Sequence, residues 1–518
     1  MTTIKQVFDR QQIELSAKKQ NLLRGTAVAI GSSALAGLLT ALVLPYGPIT
    51  TLQVWLVLAS SLAIGLVAGW ALGSPWAMLL SPLAYVLFFE LARTNGMVPT
   101  TGPIRLDNTY GLLALIVGRG FHGLVSLLPM VLGAGLGVFL ARSQAGEMAS
   151  PVWLVVQSIP LGILAIVVIA LAVLNGMPAR TPPIVDASAQ PIPGSIAELT
   201  AVTLGGHKQT IMIRGHSADL PVMLYLSGGP GQSDLPYSRV LLQDLTQDFV
   251  VVSWDQRGTG KSYPALDPVE TLTLDQAVAD TIELTNYLRE RFDEEKIYLM
   301  GESWGTTLGV LAVQQQPDLY YAWIGSGQMV SQRETDRQLY HDVLALAAQT
   351  GNTALTEQML AFGEPPYADT PYPNAVVMGY YDALGQPYTP PQDYIERGTA
   401  ANLGPWGILG SEYNLVEKVN VLRGLIDMFT VMYPQLQAID FRQDVPRLDV
   451  PVYILDGKAE LAARRDLVLA WYDQLEAPSK QIYTFDNAGH SVAFEQFSVL
   501  HQILTQTILP ETYPSGRQ

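Results

Sequence analysis

The sequence has no cysteine and few histidines, and these shortages exclude several kinds of site. Without cysteine the chain can form no disulfide, no thiolate metal site and no cysteine nucleophile. Only six histidines are present, and no two of them have the spacing of a metal-binding pair, so we expect no metal and no other cofactor. The net charge of −16 argues against nucleic acid as a partner.

Charge is distributed unevenly along the 518 residues. The first 180 residues contain ten Lys or Arg and five Asp or Glu, whereas the remainder contains 20 and 41. A weakly charged, apolar N-terminal third therefore precedes an acidic domain of ordinary composition, which is typical of a membrane part joined to a soluble part. The pattern predicts an N-terminal segment at 1–24, a transmembrane helical domain at 25–175 and a proline-rich linker at 176–198.

The apolar third contains five stretches long enough to cross a bilayer as helices, which takes about 20 residues each. They lie at 26–44, 52–72, 76–92, 123–141 and 152–174, and the count is five, give or take one. The run at 111–118 is either a half-helix or part of a longer fourth span. No ionisable residue lies near the centre of a span, which favours an anchor over a transporter.

Basic residues near the spans predict which side of the membrane each part occupies. Five Lys or Arg lie within the first 24 residues, and the connections at 45–51 and 73–75 contain none. This bias predicts a cytoplasmic N-terminus and, with five spans, an extracytoplasmic acidic domain. A sixth span would reverse the position of the acidic domain.

The acidic part alternates short runs rich in β-branched residues with helical patterns. Runs at 222–226, 249–253, 296–300 and 452–455 have the character of buried strands, and 275–291 has the apolar spacing of a helix. This alternation predicts an α/β fold with a mainly parallel sheet covered by helices on both faces. In such sheets the active site lies beyond the carboxyl ends of the strands.

A serine stands at one of these strand ends. The segment 301–305, Gly-Glu-Ser-Trp-Gly, follows a strand and precedes the helical run 306–315. Glycines two before and two after the serine leave room for the tight turn of a nucleophile elbow, which exposes the hydroxyl at a helix N-terminus. The pattern predicts that Ser303 is a catalytic nucleophile.

A serine nucleophile needs a base and an acid that orients the base. Of the histidines after Ser303, His341 and His501 lie in helical stretches, whereas His490 directly follows the strand at 481–485. In chain order serine, acid, histidine, this position predicts His490 as the base.

Four motifs taken in order resemble the proline iminopeptidase family of α/β-hydrolases. They are 228–231 (Gly-Gly-Pro-Gly), 255–262 (Asp-Gln-Arg-Gly-Thr-Gly-Lys-Ser), the segment around Ser303 and 489–491 (Gly-His-Ser). The resemblance begins near residue 199 and does not include the apolar third. It implies an α/β-hydrolase core at 199–326 and 446–518, with a helical cap at 327–445.

The resemblance also implies roles for individual residues. The backbone N–H groups of Gly229 and Trp304 would form the oxyanion hole. The family's Gly-x-x-Asp motif reads Gly-Lys-Ala-Glu at 457–460 here, so Glu460 would be the triad acid. Asp456 and Asp466 are the alternatives to Glu460. In family members acidic cap residues bind the substrate's α-amine, and Glu334 stands at a matching position or is an ordinary helix-surface residue.

These features predict a membrane-anchored serine hydrolase that removes N-terminal residues from short peptides. An esterase or lipase acting on other acyl substrates near the bilayer is the first alternative, because the same triad performs both reactions. A binding or sensing protein that retains the fold but is catalytically impaired is the second. The replacement of the family's aspartate by Glu460 is the feature on which that second alternative depends.

Overall fold

The computed structural model describes residues 2–93, 96–147, 151–367 and 371–514. The chain divides into two compact units. One unit comprises Met1–Asp107, Gly111–Pro178 and Asn414–Val416, and the other comprises Asn108–Tyr110, Ala179–Tyr413 and Glu417–Gln518.

The first unit is entirely helical in its described part. Its helices are α1 (Thr2–Val43), α2 (Thr51–Leu72), α3 (Ala77–Ala92), α4 (Thr109–Leu115), α5 (Phe121–Gln144) and α6 (Pro151–Asn175). Four helical segments are long and apolar enough to cross a membrane, namely Lys18–Val43, Thr51–Leu72, Thr109–Gln144 and Ser158–Asn175, and Ala77–Ala92 is apolar but shorter. The sequence predicted five apolar helices, and the structure has these four long segments and the shorter one in its described part. Possible membrane association rests on these segments.

The helical segment Thr109–Gln144 contains both the stretch predicted at 123–141 and the run 111–118, as the alternative of a longer fourth segment predicted. A π-helical turn at Ile116–Gly120 joins α4 to α5, so that Arg119 lies within the helical segment. The Arg119 guanidinium reaches Glu90 on α3, with Nε 3.0 Å from both carboxylate oxygens and Nη2 2.9 Å from Oε2. The π turn therefore lies where an acid–base pair joins two apolar helices. Single π turns inside α-helices often occur at positions with a special role.

Helices α2 and α5 approach each other through glycine. A Cβ atom added to Gly65 would lie 2.0 Å from the carbonyl oxygen of Met130, and one added to Gly69 would lie 2.0 Å from that of Ala134. On α5, a Cβ atom added to Gly133 would lie 2.1 Å from the carbonyl oxygen of Leu62, and one added to Gly137 would lie 2.2 Å from that of Leu66. Small residues four apart on both helices allow backbones to touch, which is the packing expected where lipid replaces water around helices.

The second unit contains one eight-stranded sheet in the order β1-β2-β4-β3-β5-β6-β7-β8. β1 pairs with β2 and β2 with β4 in antiparallel fashion, and every other pair is parallel. The strands are β1 (Ile196–Leu204), β2 (His207–Gly215), β3 (Val222–Leu226), β4 (Val250–Asp255), β5 (Ile297–Glu302), β6 (Tyr320–Ser326), β7 (Val452–Gly457) and β8 (Lys480–Phe485). The predicted α/β fold with a mainly parallel sheet is confirmed.

Helices cover both faces of this sheet and fill the insertion between β6 and β7. Those of the core are α7 (Leu235–Leu241), α8 (Leu274–Phe292) and α9 (Trp304–Gln315). The insertion contains α10 (Gln332–Thr350), α11 (Thr353–Phe362), α12 (Pro371–Met378), α13 (Tyr381–Leu384), α14 (Gln392–Ala401), α15 (Leu415–Met432) and α16 (Phe441–Asp444). α17 (Ala462–Gln474) lies between β7 and β8, and α18 (Val492–Glu495), α19 (Phe497–Ile503) and α20 (Leu509–Thr512) follow β8.

The central strands are buried along their whole length, because helices remove both faces from water. Every residue of β3, β4, β5, β6 and β7 is buried. Large side chains fill the layers between sheet and helices, including Trp254, Trp323 and Tyr298, each at most 2 % exposed. This rigid sheet holds the loops at the carboxyl ends of β3, β5, β6, β7 and β8, where the predicted site residues lie.

Candidate active site

Ser303 occupies the sharp turn between β5 and α9. Its backbone has φ 52° and ψ −119°, a conformation that residues with a side chain rarely adopt. The turn is fixed from both sides, because the Ser303 N–H donates to the carbonyl of Ser326 at 3.1 Å and the Thr306 N–H donates to the carbonyl of Ser303 at 2.8 Å. This is the geometry of a nucleophile elbow, with the side chain at the N-terminus of a helix.

Glycines on either side of the turn are required for space. A Cβ atom on Gly301 would lie 2.5 Å from the carbonyl oxygen of Gly305, and one on Gly305 would lie 2.2 Å from that of Leu226. Both distances are far shorter than any ordinary contact of a methyl carbon with oxygen. The Gly-x-Ser-x-Gly spacing is therefore needed for the strand-to-helix crossing itself.

His490 follows β8, and Glu460 follows β7. The Nδ1 atom of His490 is hydrogen-bonded to Oε2 of Glu460. The other carboxylate oxygen, Oε1, accepts from the Leu461 N–H at 2.8 Å and from Nη1 of Arg464 at 3.3 Å. The Glu460 side chain is 8 % exposed, so a buried carboxylate with two further donors fixes the imidazole.

The electrostatic surroundings favour ionised Glu460. Burial alone would raise the pKa of this carboxyl, but His490 and the Arg464 guanidinium outweigh the burial and lower the pKa to about 2. Arg464 lies one helical turn after Glu460, at the i,i+4 spacing that brings side chains together. Its guanidinium also stacks on the ring of Tyr381 in the cap, 4.8 Å from the ring centre.

Asp456, the first alternative acid, is occupied elsewhere. It forms a bidentate pair with Arg465, with distances of 2.8 to 3.1 Å, and accepts from the Thr484 hydroxyl at 3.0 Å. Asp466 lies within α17. The structure thus brings Glu460, rather than Asp456, to the imidazole of His490.

The end of β6 joins the serine turn to the histidine loop. Ser326 accepts the Ser303 N–H through its carbonyl, and its hydroxyl accepts the Ala493 N–H at 2.9 Å. The next residue, Gly327, faces the imidazole, since a Cβ atom there would lie 3.0 Å from Nδ1 and Cε1 of His490. Ser303 therefore contacts Ser326, and His490 lies against Gly327, at the end of the same strand.

The loop after β3 passes beside the serine. A Cβ atom on Gly228 would lie 3.3 Å from Cβ of Ser303, and Gly229 has φ +116°, which only glycine adopts readily. Trp304 is the first residue of α9, and its indole N–H donates to Oε1 of Gln256 at 2.8 Å. Nε2 of Gln256 in turn donates to the Ser227 carbonyl at 3.3 Å, which ties the two predicted oxyanion segments together.

Glu334 does not lie with these residues in any described contact. It stands in the first turn of α10 with its side chain 38 % exposed, and its carboxylate pairs with Arg337 at 3.3 Å. Two residues later, Asp336 is buried and accepts from the hydroxyl of Tyr433 at 2.6 Å and from Gln437 at 2.8 Å. The role that the resemblance implied for Glu334 stays a prediction.

Sequence reasoning missed several polar residues around the site. Arg464 could have been found from its i,i+4 spacing to Glu460. Asp234 and Glu302 carry no such signal, because they are 68 positions apart and meet only through the hydroxyl of Tyr225. Among the described residues no group of three or more His, Asp or Glu could hold a metal ion.

The α/β-hydrolase-fold family model matches residues 221–358. The "Probable aminopeptidase YbaC" of Bacillus subtilis is 29 % identical over 312 residues, which are 60 % of this chain and 96 % of that protein. The proline iminopeptidase of Lactobacillus delbrueckii subsp. lactis is 24 % identical over 306 residues, which are 58 % of this chain and 94 % of that protein.

Solved structures also align with part of this chain. The proline iminopeptidase-related protein of Thermus thermophilus is 20 % identical, with a TM-score of 0.41, and covers 62 % of this chain and 99 % of its own. The proline iminopeptidase of Mycobacterium smegmatis is 18 % identical, with a TM-score of 0.38, and covers 61 % and 100 %. The chain thus has the α/β-hydrolase fold and is related, at modest identity, to proteins named aminopeptidases and proline iminopeptidases.

Proposed function

We propose that this protein is a membrane-anchored serine hydrolase of the proline iminopeptidase type, which removes N-terminal residues from short peptides. The observation that carries the proposal is the hydrogen bond between Glu460 and Nδ1 of His490 beside the strained turn of Ser303. With the Nδ1 proton directed at the carboxylate, Nε2 of the imidazole is left with a lone pair that can take a proton.

In the acylation step, His490 Nε2 takes the Ser303 hydroxyl proton while Oγ attacks the carbonyl carbon of the scissile bond. The resulting oxyanion is stabilised by the backbone N–H groups of Gly229 and Trp304. His490 then gives the proton to the leaving amine, and the carbon–nitrogen bond breaks. Water repeats the sequence on the acyl-enzyme and releases the free N-terminal residue.

The replacement of the family's aspartate by glutamate is compatible with this chemistry. The longer side chain of Glu460 is held at both oxygens, by His490 on one and by Leu461 and Arg464 on the other. Such fixation offsets the extra rotatable bond, which argues for an active triad and against a protein that only binds or senses.

The apolar helical unit supports anchoring in a membrane, because four of its helical segments are long enough to span one. We further propose that the hydrolase domain faces away from the cytoplasm, since the basic residues of the first 24 positions favour the cytoplasmic side for the N-terminus. Cysteine accessibility would test this. A single cysteine introduced at exposed Gln506 of the cysteine-free chain should react with a membrane-impermeant maleimide in intact cells.

Labelling with a fluorophosphonate probe tests the nucleophile. The detergent-solubilised wild-type protein should become labelled, and Ser303→Ala should lose all labelling because no other hydroxyl stands at the elbow. Ser498→Ala removes a surface hydroxyl that donates to Asp393 and serves as the matched control. A folded wild-type protein that resists the probe would contradict the proposal.

A pair of substrates distinguishes peptidase from esterase. We expect a dipeptide amide with a free α-amine to be hydrolysed and its acetylated counterpart to be inert, because the family type selects the amine. Equal turnover of the acetylated peptide, or turnover of an acyl ester alone, would assign the protein to the esterase alternative.

A further inference from the structure

Two buried carboxyl groups lie beneath the serine turn and share one hydroxyl group. Tyr225 Oη is 3.1 Å from Oδ2 of Asp234 and 3.3 Å from Oε2 of Glu302. The remaining oxygen of Glu302 accepts from the Ser491 hydroxyl at 2.7 Å. Asp234 and Glu302 are 2 % and 4 % exposed, and Tyr225 is fully buried.

The number of hydrogens available for these hydrogen bonds indicates that one of the two carboxyl groups is protonated. Tyr225 has a single hydroxyl hydrogen and can donate it to one carboxyl only. If Glu302 is protonated, it donates to the Tyr225 oxygen, Tyr225 donates to Asp234, and every oxygen has a partner. If both acids are ionised, one buried carboxylate oxygen faces the hydroxyl oxygen without a hydrogen, which is costly.

The other contacts of each acid agree with this assignment. Asp234 also accepts from Nε2 of Gln232 at 2.8 Å and from the Gly228 backbone, as an ionised carboxylate should. Glu302 has hydroxyl groups on both oxygens, which suit a neutral acid. The proton therefore belongs on Glu302.

The charged surroundings favour the neutral form of Glu302. Burial, followed by the nearby charge of Asp234, raises the pKa of Glu302 to about 8. Burial raises the pKa of Asp234 to about 6. The other titratable groups that face Glu302 are Glu495 on α18, which adds negative charge, and the phenols Tyr225 on β3 and Tyr394 on α14.

This network joins the three segments that the proposed mechanism requires. Asp234 holds the loop after β3 through Gly228 and Gln232. Ser491 directly follows His490, and Glu302 directly precedes Ser303. One shared proton therefore connects the oxyanion loop, the nucleophile turn and the histidine loop from below.

We propose that Glu302 is a positioning residue that must be protonated in the active enzyme, and that its ionisation switches the hydrolase off at alkaline pH. The inference rests on the proposed role of Ser303. Loss of the proton leaves two carboxylates competing for the Tyr225 hydrogen, which forces the loops apart. It also adds a negative charge at the residue that precedes Ser303, close to the turn where the oxyanion of the intermediate must be stabilised, which opposes catalysis.

The rate of fluorophosphonate labelling as a function of pH tests this inference without knowledge of the substrate. We expect the wild-type rate to fall about tenfold per pH unit above about pH 8, as for a single essential proton. Glu302→Gln keeps a neutral side chain of the same shape and should stay labelled at an even rate from about pH 7 to about pH 9.5. An unchanged alkaline fall in Glu302→Gln, or a wild-type rate that does not fall, would overturn the inference.

Two further variants should move the alkaline fall in opposite directions. Asp234→Asn removes the negative charge that raises the pKa of Glu302, so the fall should occur at lower pH. Ser491→Ala removes a hydrogen bond that favours ionised Glu302, so the fall should occur at higher pH. Shifts in the same direction, or no shift in both folded variants, would contradict the shared-proton network.

Infrared spectroscopy separates this inference from the proposed function. At neutral pH the C=O stretching band of a protonated carboxyl should appear in the difference between the spectra of the full wild-type chain and Glu302→Gln, and it should disappear from that difference above about pH 9. Buried Asp255, whose pKa is raised by burial to about 7, is common to both proteins and cancels in the difference. A wild-type protein that shows this band but is not labelled by the probe would contradict the serine mechanism and support a protonated Glu302. Labelling that depends on Ser303 without the band would do the reverse.

Discussion

One acidic site in the helical unit and one in the hydrolase unit have opposite surroundings. In the helical unit Glu90 meets the guanidinium of Arg119 in a forked pair, so the acid lies beside a cation. In the hydrolase unit Asp234 and Glu302 lie beside each other and share the hydroxyl of Tyr225. A charge-balanced pair holds helices together, whereas an unbalanced pair of acids can gain or lose a proton, and the unbalanced pair lies at the proposed site of catalysis.

The packing of the two units differs as well. Glycines bring α2 and α5 into backbone contact, with no room for a methyl group at Gly65 or Gly69. Trp254 and Trp323 fill the layers around the sheet instead. Helices in lipid gain little from burying large apolar side chains, so close backbone contact matters more there, whereas a fold in water depends on the burial of apolar area.

The largest expected effect concerns an acid that has cationic partners inside the hydrolase unit. Glu460→Gln should lower the turnover of a peptide substrate by roughly 10⁴-fold, because an amide no longer favours the tautomer with a proton on Nδ1. Asp456→Asn is the matched control, since Asp456 pairs with Arg465. A greater loss of kcat in Asp456→Asn than in Glu460→Gln would transfer the triad role to Asp456.

The next largest effect is expected from a substitution that disrupts the glycine packing of the helical unit. Gly69→Leu would drive its side chain into the carbonyl of Ala134 and should lower the free energy of unfolding by about 3 kcal/mol. Gly31→Leu has no atom within 4 Å of the added Cβ and should leave the melting temperature in detergent unchanged. Equal melting temperatures for the two variants would show that this backbone contact contributes nothing to stability.

A smaller effect is expected at the cation beside Glu460, the proposed triad acid. Arg464→Met retains the length of the side chain but leaves Glu460 with one cationic partner fewer, and kcat should fall about tenfold with KM little changed. Arg465→Met, at the neighbouring position, removes the partner of Asp456 and should change kcat less than about twofold. A reversed order of the two variants would remove Arg464 from the mechanism.

The smallest effect concerns Glu334. Its carboxylate is exposed and already paired with Arg337, so Glu334→Gln should change KM for a free-amine peptide by less than about twofold. The same measurement on Asp336→Asn compares it with the buried acid of the same helix. A tenfold rise in KM for Glu334→Gln alone would restore the amine-binding role that the family resemblance implied.

The sequence allowed the fold to be predicted because its signals are local. Strand, tight turn and helix follow one another within a few residues of Ser303, and the same holds for the strand before His490. For Glu334 such reasoning leaves the role a prediction, since the face of α10 on which a side chain lies depends on packing that spacing does not reveal. The junction of Asp234 with Glu302 depends on the pairing of β3 with β5, which no local pattern specifies.

The helical unit shows the same limit. Because Arg119 interrupts the apolar pattern, the run 111–118 was predicted to be either a half-helix or part of a longer fourth span. In the structure the helical segment continues through Arg119 from Thr109 to Gln144, since Glu90 on α3 balances the guanidinium. A partner 29 positions away makes a charged residue acceptable within an apolar helix, and hydropathy alone does not reveal that partner and so left the two alternatives open.

The backbone of Ser303 bears on how this chain has been shaped by selection. A side chain held at φ 52° and ψ −119° costs on the order of 1 to 3 kcal/mol that glycine would not cost. Most random substitutions are tolerated or rejected according to stability, so a lineage with no use for the hydroxyl would drift towards glycine and become more stable. The strained backbone of Ser303 therefore supports the proposed use of its hydroxyl in catalysis.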